Sequence, residues 1–151
     1  MSLISPISPI NNKTMIKRNN PLNIRAGKSH WIGAKSSEEG QFVTFYTVAY
    51  GYRAAWKLLG NYHRFYGLKS LRQVINRWAP PQENDTAAYV RHVCYLTGID
   101  PDEPLPHPSQ DIGRWVPVLT AMTVVEQGMA WTQVPQRDIR HAWQMAFQSP
   151  E

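Results

Sequence analysis

A lone carboxylate in an apolar segment is the feature of this sequence that points most directly to chemistry. Glu126 is the single charged residue in the segment 115–136, and Leu119, Met122 and Glu126 follow an i, i+3, i+7 spacing that places them on one helix face. A carboxyl on an apolar face loses hydration, which raises its pKa and keeps it protonated near neutrality, as a general acid must be. Glu126 is therefore a candidate general acid. The alternative is a structural carboxylate that reaches solvent because the helix ends at Gly128.

Two adjacent acids form a second candidate group. Glu38 and Glu39 precede Gly40 in a polar turn. Cleavage of a glycosidic bond by two carboxylates needs a second acid about 5 Å away for retention, or roughly 6.5–9.5 Å away for inversion. Glu39 or Glu38 is a candidate for that second catalytic acid, and the alternative is a pair of ordinary surface glutamates, which are common in polar turns.

Three further positions are candidates for substrate binding. Asp85 and Tyr89 are four residues apart, so they share a helix face on which the hydroxyl could hold a reacting group; the alternative is a helix cap followed by a core tyrosine. Trp31 lies in a polar, glycine-rich loop, where it could offer a flat apolar face to a sugar ring.

Composition limits the other classes of function. A chain of 151 residues with 42% hydrophobic content suits one domain, and its net charge of +5 favours anionic partners. Cys94, the single cysteine, is predicted to be a small buried hydrophobe. The histidines show no HExxH pattern, and the sequence has no Walker loop or GxGxxG. No cofactor and no structural metal are expected.

The elements that must position these residues can be read from the periodicity. Residues 1–17 repeat an ISP unit and are predicted to be a flexible tail or linker, and 18–151 to be one mostly α (α+β) domain. Residues 18–40 suggest a small irregular hairpin, and 41–47 a strand. Helices are predicted over 48–66 and 70–78, from Asp85 or Thr86 to Gly98, from Ser109 or Asp111 to Gly128, and over 135–147, with a proline-rich loop before Ser109.

Four short motifs over about residues 18–93 occur in an order that resembles a known series. Bacterial peptidoglycan N-acetylglucosaminidases of the flagellar-rod and autolysin type, in the lysozyme superfamily, carry an Asn-Leu-Phe-Gly-Ile-Lys-like turn, a Trp-x-Gly, an acidic hairpin leading into a strand, and an Asp-Pro-x-Tyr-Ala. The matching residues are Asn20, Leu22, Ile24 and Arg25 for the first, Trp31 and Gly33 for the second, Glu38 or Glu39 with Gly40 and Phe45 for the third, and Asp85 with Tyr89 for the last.

The resemblance departs from that family at one point. There the general-acid glutamate ends a helix that precedes the Asn-Leu turn, whereas here the similar segment, TAMTVVEQG, lies near the other end of the chain. The resemblance thus implies a circularly permuted lysozyme-like fold with a small β-hairpin, in which Glu126 is the acid and Tyr89 lines the cleft. Asn20 and Asn23 would shape the hairpin, with Asn23 also a candidate substrate-binding residue. The pattern is also similar to small phage and type VI secretion effector proteins that lyse cell walls.

We therefore expect a glycoside hydrolase that cuts the glycan strand of peptidoglycan, as a lysozyme-type or N-acetylglucosaminidase-type enzyme or as a lytic transglycosylase. Its partners would be the glycan strand and a delivery apparatus or an immunity protein, with no nucleic acid and no membrane insertion. The N-terminus shows no Sec-type signal, so action in the periplasm or cell wall of a target cell would need delivery by another system. The rivals are a non-catalytic virion or secretion-apparatus protein and a basic nucleic-acid-binding module.

Overall fold

The computed structural model describes residues 16–148, and its regular structure is helical. Five α-helices are present in this part of the chain: α1 (Val48–Tyr66), α2 (Leu71–Trp78), α3 (Thr86–Thr97), α4 (Ile112–Gln127) and α5 (Gln136–Phe147). Short 3₁₀ turns occur at Lys17–Asn19, Pro108–Gln110 and Trp131–Gln133. The mostly α prediction is confirmed, and each predicted helix is present.

Capping residues explain why the helices begin where the sequence predicts. Ser70 and Gln73 form a reciprocal capping box at the start of α2. The Asp85 carboxylate accepts from the backbone N–H of Ala88 at 3.2 Å, and the Asp111 carboxylate accepts from that of Arg114 at 3.1 Å.

The end of α4 is fixed by a glycine. Gly128 takes a left-handed conformation with φ of 65°, which is strained for most residues with a side chain. Glu126 is therefore in the last turn of α4, two residues before the chain leaves the helix.

All five helices and the loop before α1 contribute side chains to the core. Helix α1 packs along α5, and α4 packs against both α3 and α5. The indole Nε1 of Trp56 donates to the carbonyl of Ile139 at 2.9 Å, which fixes α1 against α5. Leu119 and Met122 on α4 are fully buried, which confirms that this face of the helix points into the core.

The prediction of a strand over 41–47 is wrong, because the chain between 20 and 46 forms no strand. It makes two isolated antiparallel bridges, one between Arg25 and Phe42 and one between Ala34 and Phe45. The first half of the segment pairs with 24–26 and the second half with 33–35, so neither pairing is long enough to become a ladder. The small β-hairpin of the prediction is thus replaced by an irregular, hydrogen-bonded loop.

The predicted tail lies mostly outside the described residues. Only Ile16 and Lys17 of the segment 1–17 fall within them: Ile16 is buried, and Lys17 begins a 3₁₀ turn. The division into a tail and a domain at residue 18 stays a prediction.

Candidate functional site

Two side chains from distant parts of the sequence hold the carboxyl group of Glu126. The amide Nδ2 of Asn23 donates to Oε1 at 2.7 Å, and the hydroxyl of Tyr89 donates to Oε2 at 2.9 Å. Asn23 comes from the irregular loop between residues 20 and 46, called the N-terminal loop below. Tyr89 comes from α3, and Glu126 lies in the last turn of α4. Three separate segments therefore meet at one carboxyl group.

The electrostatics of this carboxyl favour its protonated form. Burial raises the pKa of Glu126 above its usual 4.5, and the hydrogen bonds from Asn23 and Tyr89 oppose that effect without cancelling it. The pKa of Tyr89 is raised well above its usual 10.0, first by burial and then by the neighbouring Glu126. The phenol consequently keeps its proton and remains a hydrogen-bond donor.

The Asn20 side chain builds the turn that presents Asn23. Its Nδ2 donates to the carbonyls of Ile24 at 2.9 Å and Val43 at 2.8 Å, and its Oδ1 accepts from the N–H of Ile24 at 2.9 Å. Asn23 itself has a φ of 56°, a left-handed conformation that asparagine adopts more readily than most residues. Asn20 thus shapes the loop, as predicted, and Asn23 reaches the carboxyl.

Helices α1 and α4 both anchor this turn. A Cβ at Gly51 of α1 would lie 2.4 Å from the carbonyl oxygen of Asn19, so the turn can approach α1 only because residue 51 is glycine. The Nε2 of Gln127, next to Glu126, donates to the carbonyl of Pro21 at 2.8 Å. The loop is consequently fixed to the end of the helix that carries the acid.

Glu126 lies in the wall of an open cleft of about 500 Å³. The lining is mixed in character, since it includes aromatic rings, two arginines and a second carboxylate, Glu83. We call it the Glu126 cleft; its lining residues are Leu22, Asn23, Ile24, Arg25, Phe42, Leu58, Tyr62, Arg77, Trp78, Ala79, Pro80, Glu83, Asn84 and Glu126.

The sequence-predicted residues divide into two groups. Glu126, Tyr89 and Asn23 come together, as described above. Tyr89 contacts the acid, but, contrary to the prediction, its side chain is buried and is not among the residues that line the cleft. Asp85 is exposed and caps α3 with its carboxylate. Its cap role matches the alternative interpretation given for it.

The other three candidates do not line the Glu126 cleft. Glu38 and Glu39 are exposed on a turn. Trp31 lines a separate pocket of about 200 Å³ together with Lys28 and His30. The roles predicted for these three residues gain no support from their positions.

Arg77, Trp78 and Glu83 are among the cleft residues that sequence reasoning missed. Arg77 and Trp78 end α2, and Glu83 lies between α2 and α3. They are consecutive features of the segment NRWAPPQEN, in which a basic and aromatic helix end meets a proline pair. That composition is the signal that could have indicated them.

The described residues contain no group of three or more histidine, cysteine or acidic side chains arranged to hold a metal ion. Within residues 16–148, none of the helices has the length and apolar character needed to cross a lipid bilayer.

Comparison with known proteins gives one informative relationship. No established family model matches the chain. Over 117 residues it is 35% identical to Protein P5 of Pseudoalteromonas phage PM2, an alignment that covers 75% of this chain and 70% of the phage protein. At that identity and coverage, the chain belongs to the family of Protein P5 of Pseudoalteromonas phage PM2.

Proposed function

We propose that this protein cleaves the glycan strand of peptidoglycan, with Glu126 as the general acid. The observation that supports this most strongly is a half-buried carboxyl with a raised pKa, held by two donors in the wall of an open cleft. A raised pKa favours the protonated carboxyl, which can donate to the glycosidic oxygen as the bond breaks.

The two donors stabilise Glu126 after it has given up its proton. When Glu126 gives up its proton, negative charge develops on both carboxyl oxygens. Asn23 already points a donor at one oxygen and Tyr89 at the other, so the carboxylate is stabilised without rearrangement. The site can thus hold both states of the acid that the reaction requires.

The positive charge that develops on the sugar needs a partner. Of the carboxylates in the described residues, Glu83 is the one that lines the cleft with Glu126, whereas Glu38 and Glu39 lie outside it. In this proposal Glu83 stabilises the oxocarbenium-like transition state, or the acetamido group of the substrate does so. In a lytic transglycosylase one acid would suffice, and an intramolecular hydroxyl would finish the reaction.

The aromatic lining suits a sugar polymer. Trp78 donates from its Nε1 to the carbonyl of Leu22 at 3.3 Å, and it meets Tyr62 edge to face with ring centroids 6.0 Å apart. These contacts hold the rings in fixed orientations beside the acid. Sugar rings present apolar faces that pack on such surfaces.

The contact between Asn23 and Glu126 is also what a permuted lysozyme-like arrangement requires. It joins an Asn-Leu turn near the start of the chain to a helix-ending glutamate 103 residues later. The relative is a protein of a bacteriophage, and a phage has to cross the wall of its bacterial host. We accordingly propose a cell-wall site of action after delivery by another system.

The test is incubation of purified sacculi with the wild type and with Glu126→Gln, followed by mass analysis of the soluble muropeptides. Loss of the general acid is expected to lower the release on the order of 10²-fold to 10⁴-fold. Reducing ends would identify hydrolysis, and anhydro ends a transglycosylase. No release by the wild type would refute the proposal and would favour the non-catalytic, wall-binding virion protein.

Two further variants assign the second acid. If Glu83 stabilises the transition state, Glu83→Gln lowers the rate, whereas the double variant Glu38→Gln/Glu39→Gln remains active. If instead the double variant loses activity and Glu83→Gln keeps it, the second acid is Glu38 or Glu39. Activity in both variants would favour the acetamido group of the substrate.

A further inference from the structure

The Glu126 cleft contains more positive charge than proton donation to a sugar requires. Arg25 and Arg77 both line it, against the carboxyl groups of Glu83 and Glu126. Because burial favours the neutral form of Glu126, the cleft has a net positive charge when the acid is ready to react. An uncharged polymer of N-acetylglucosamine would make no use of that charge.

Arg77 is held in an orientation suited to binding an anion. Its guanidinium carbon lies 4.3 Å from the ring centroid of Tyr66 and 5.4 Å from that of Tyr62. A guanidinium against aromatic faces keeps the N–H groups at its edge available, and these match the two oxygens of a carboxylate. The side chain is exposed, so a ligand can reach it.

Arg25 is held in a similar way by Phe42. Its guanidinium carbon lies 4.3 Å from the Phe42 ring centroid, and its Nη1 donates to the carbonyl of Gly40 at 2.9 Å. The ion pairs found among residues 16–148 are Arg72 with Asp102 and Arg114 with Glu103. Neither arginine of the cleft takes part in them.

We propose that Arg77, assisted by Arg25, binds a carboxylate attached to the glycan strand, so that the cleft selects the peptide-bearing polymer. The stem peptides of peptidoglycan carry carboxylates beside the sugar backbone, whereas chitin-like polymers carry none. The inference rests on the proposed function, because it names the part of the same substrate that this cleft recognises.

The test measures binding, so that it does not depend on turnover. The full chain with Glu126→Gln is co-sedimented with intact sacculi and with sacculi whose free carboxyls have been coupled to ammonia by a carbodiimide, which converts them to amides. We expect this Glu126→Gln protein, the parent for the variants below, to bind amidated sacculi on the order of tenfold more weakly than intact sacculi. That change corresponds to about 1.4 kcal/mol. Adding Arg77→Gln should weaken binding to intact sacculi by a similar factor and remove the effect of amidation.

Helix α2 supplies a matched control. Arg72 is on the same helix and is exposed, but it pairs with Asp102 and does not line the cleft. Arg72→Gln changes the net charge by the same amount and is expected to bind like the parent. Arg77→Lys keeps the charge but not the bidentate hydrogen-bonding geometry, so its affinity for intact sacculi should lie between those of the parent and Arg77→Gln. It also replaces Arg77→Gln in the test if that variant does not fold.

Three results would overturn the inference. The parent could bind intact and amidated sacculi equally, or Arg77→Gln and Arg72→Gln could weaken binding equally, which would indicate diffuse charge. Tighter, Arg77-dependent binding to a DNA oligomer than to intact sacculi would assign the cleft to nucleic acid. Muropeptide release by the wild type is scored separately, so a failure of the proposed chemistry is distinguishable from a failure of carboxylate recognition.

Discussion

The hydrogen bond from Tyr89 to Glu126 should have a stability effect that depends on pH. Replacing Tyr89 by phenylalanine removes the hydroxyl that donates to Oε2 at 2.9 Å and leaves the ring in place. The ionised form of Glu126 is more populated at pH 8 than at pH 4, and a bond lost to that charged acceptor contributes about 1.5–3 kcal/mol. At pH 4, where Glu126 is protonated, the lost bond is between neutral groups and contributes about 0.5–1.5 kcal/mol.

The difference can be measured by thermal unfolding. For a domain of this size, 1 kcal/mol shifts Tm by about 2–4 °C. Tyr89→Phe should consequently lower Tm by roughly 2–6 °C more at pH 8 than at pH 4, each relative to the wild type. The sign follows from linkage: the pKa of Glu126 is raised in the fold, and losing a donor to the carboxylate raises it further, so the cost of the variant grows as pH rises.

Tyr52→Phe is the matched control. Tyr52 is also a buried tyrosine, but its hydroxyl is 2.8 Å from the Oγ1 of Thr123, a neutral partner. Its Tm decrease should be the same at both pH values. A Tyr89→Phe decrease that does not change with pH, or a Tyr52→Phe decrease that changes equally, would refute the contact between Tyr89 and an ionised Glu126.

Three other predictions concern the same region. Glu126→Gln should raise Tm relative to the wild type at pH 8, with the difference shrinking as pH falls toward 4.5, because a carboxyl whose pKa is raised in the fold costs stability only at pH values above its unfolded pKa. A difference that grows on acidification would contradict the burial argument. Gly51→Ala should cost about 1–3 kcal/mol in denaturant unfolding, because the added Cβ would lie 2.4 Å from the Asn19 carbonyl oxygen, and an unchanged midpoint would show that the turn can move away. Asn20→Ala should lower the free energy of unfolding by on the order of 3 kcal/mol and reduce muropeptide release, since the backbone groups of Ile24 and Val43 lose their buried hydrogen-bond partner. Undiminished release would show that the turn built by Asn20 is not needed to position the site.

The helices were predictable because their signals are local. Ser70, Asp85 and Asp111 begin helices by accepting hydrogen bonds from backbone groups three residues later, and Gly98 and Gly128 end helices in a left-handed conformation. Such rules depend on a few neighbouring residues. They hold here whatever the rest of the chain does.

The loop and the cleft depend on contacts that sequence patterns do not encode. Alternation in 41–47 is typical of a strand, but this segment divides its hydrogen bonds between two partner segments. Arg77 and Glu83 enter the cleft because the end of α2 lies beside the N-terminal loop, where the Nε1 of Trp78 donates to the carbonyl of Leu22. Periodicity indicates which face of a helix is buried, and it does not indicate which other segment faces it.

The position of Glu126 at the end of α4 gives its burial a chemical consequence. Burial raises its pKa, and the unpaired carbonyls at a helix C-terminus carry partial negative charge, which also disfavours a carboxylate there. Both effects favour the protonated form of the acid. Asn23 and Tyr89 supply the opposing interaction, one donor for each oxygen, and both stabilise the ionised form. In the proposed mechanism, the loop and α3 thereby help this carboxyl to lose its proton to a leaving oxygen and later regain it.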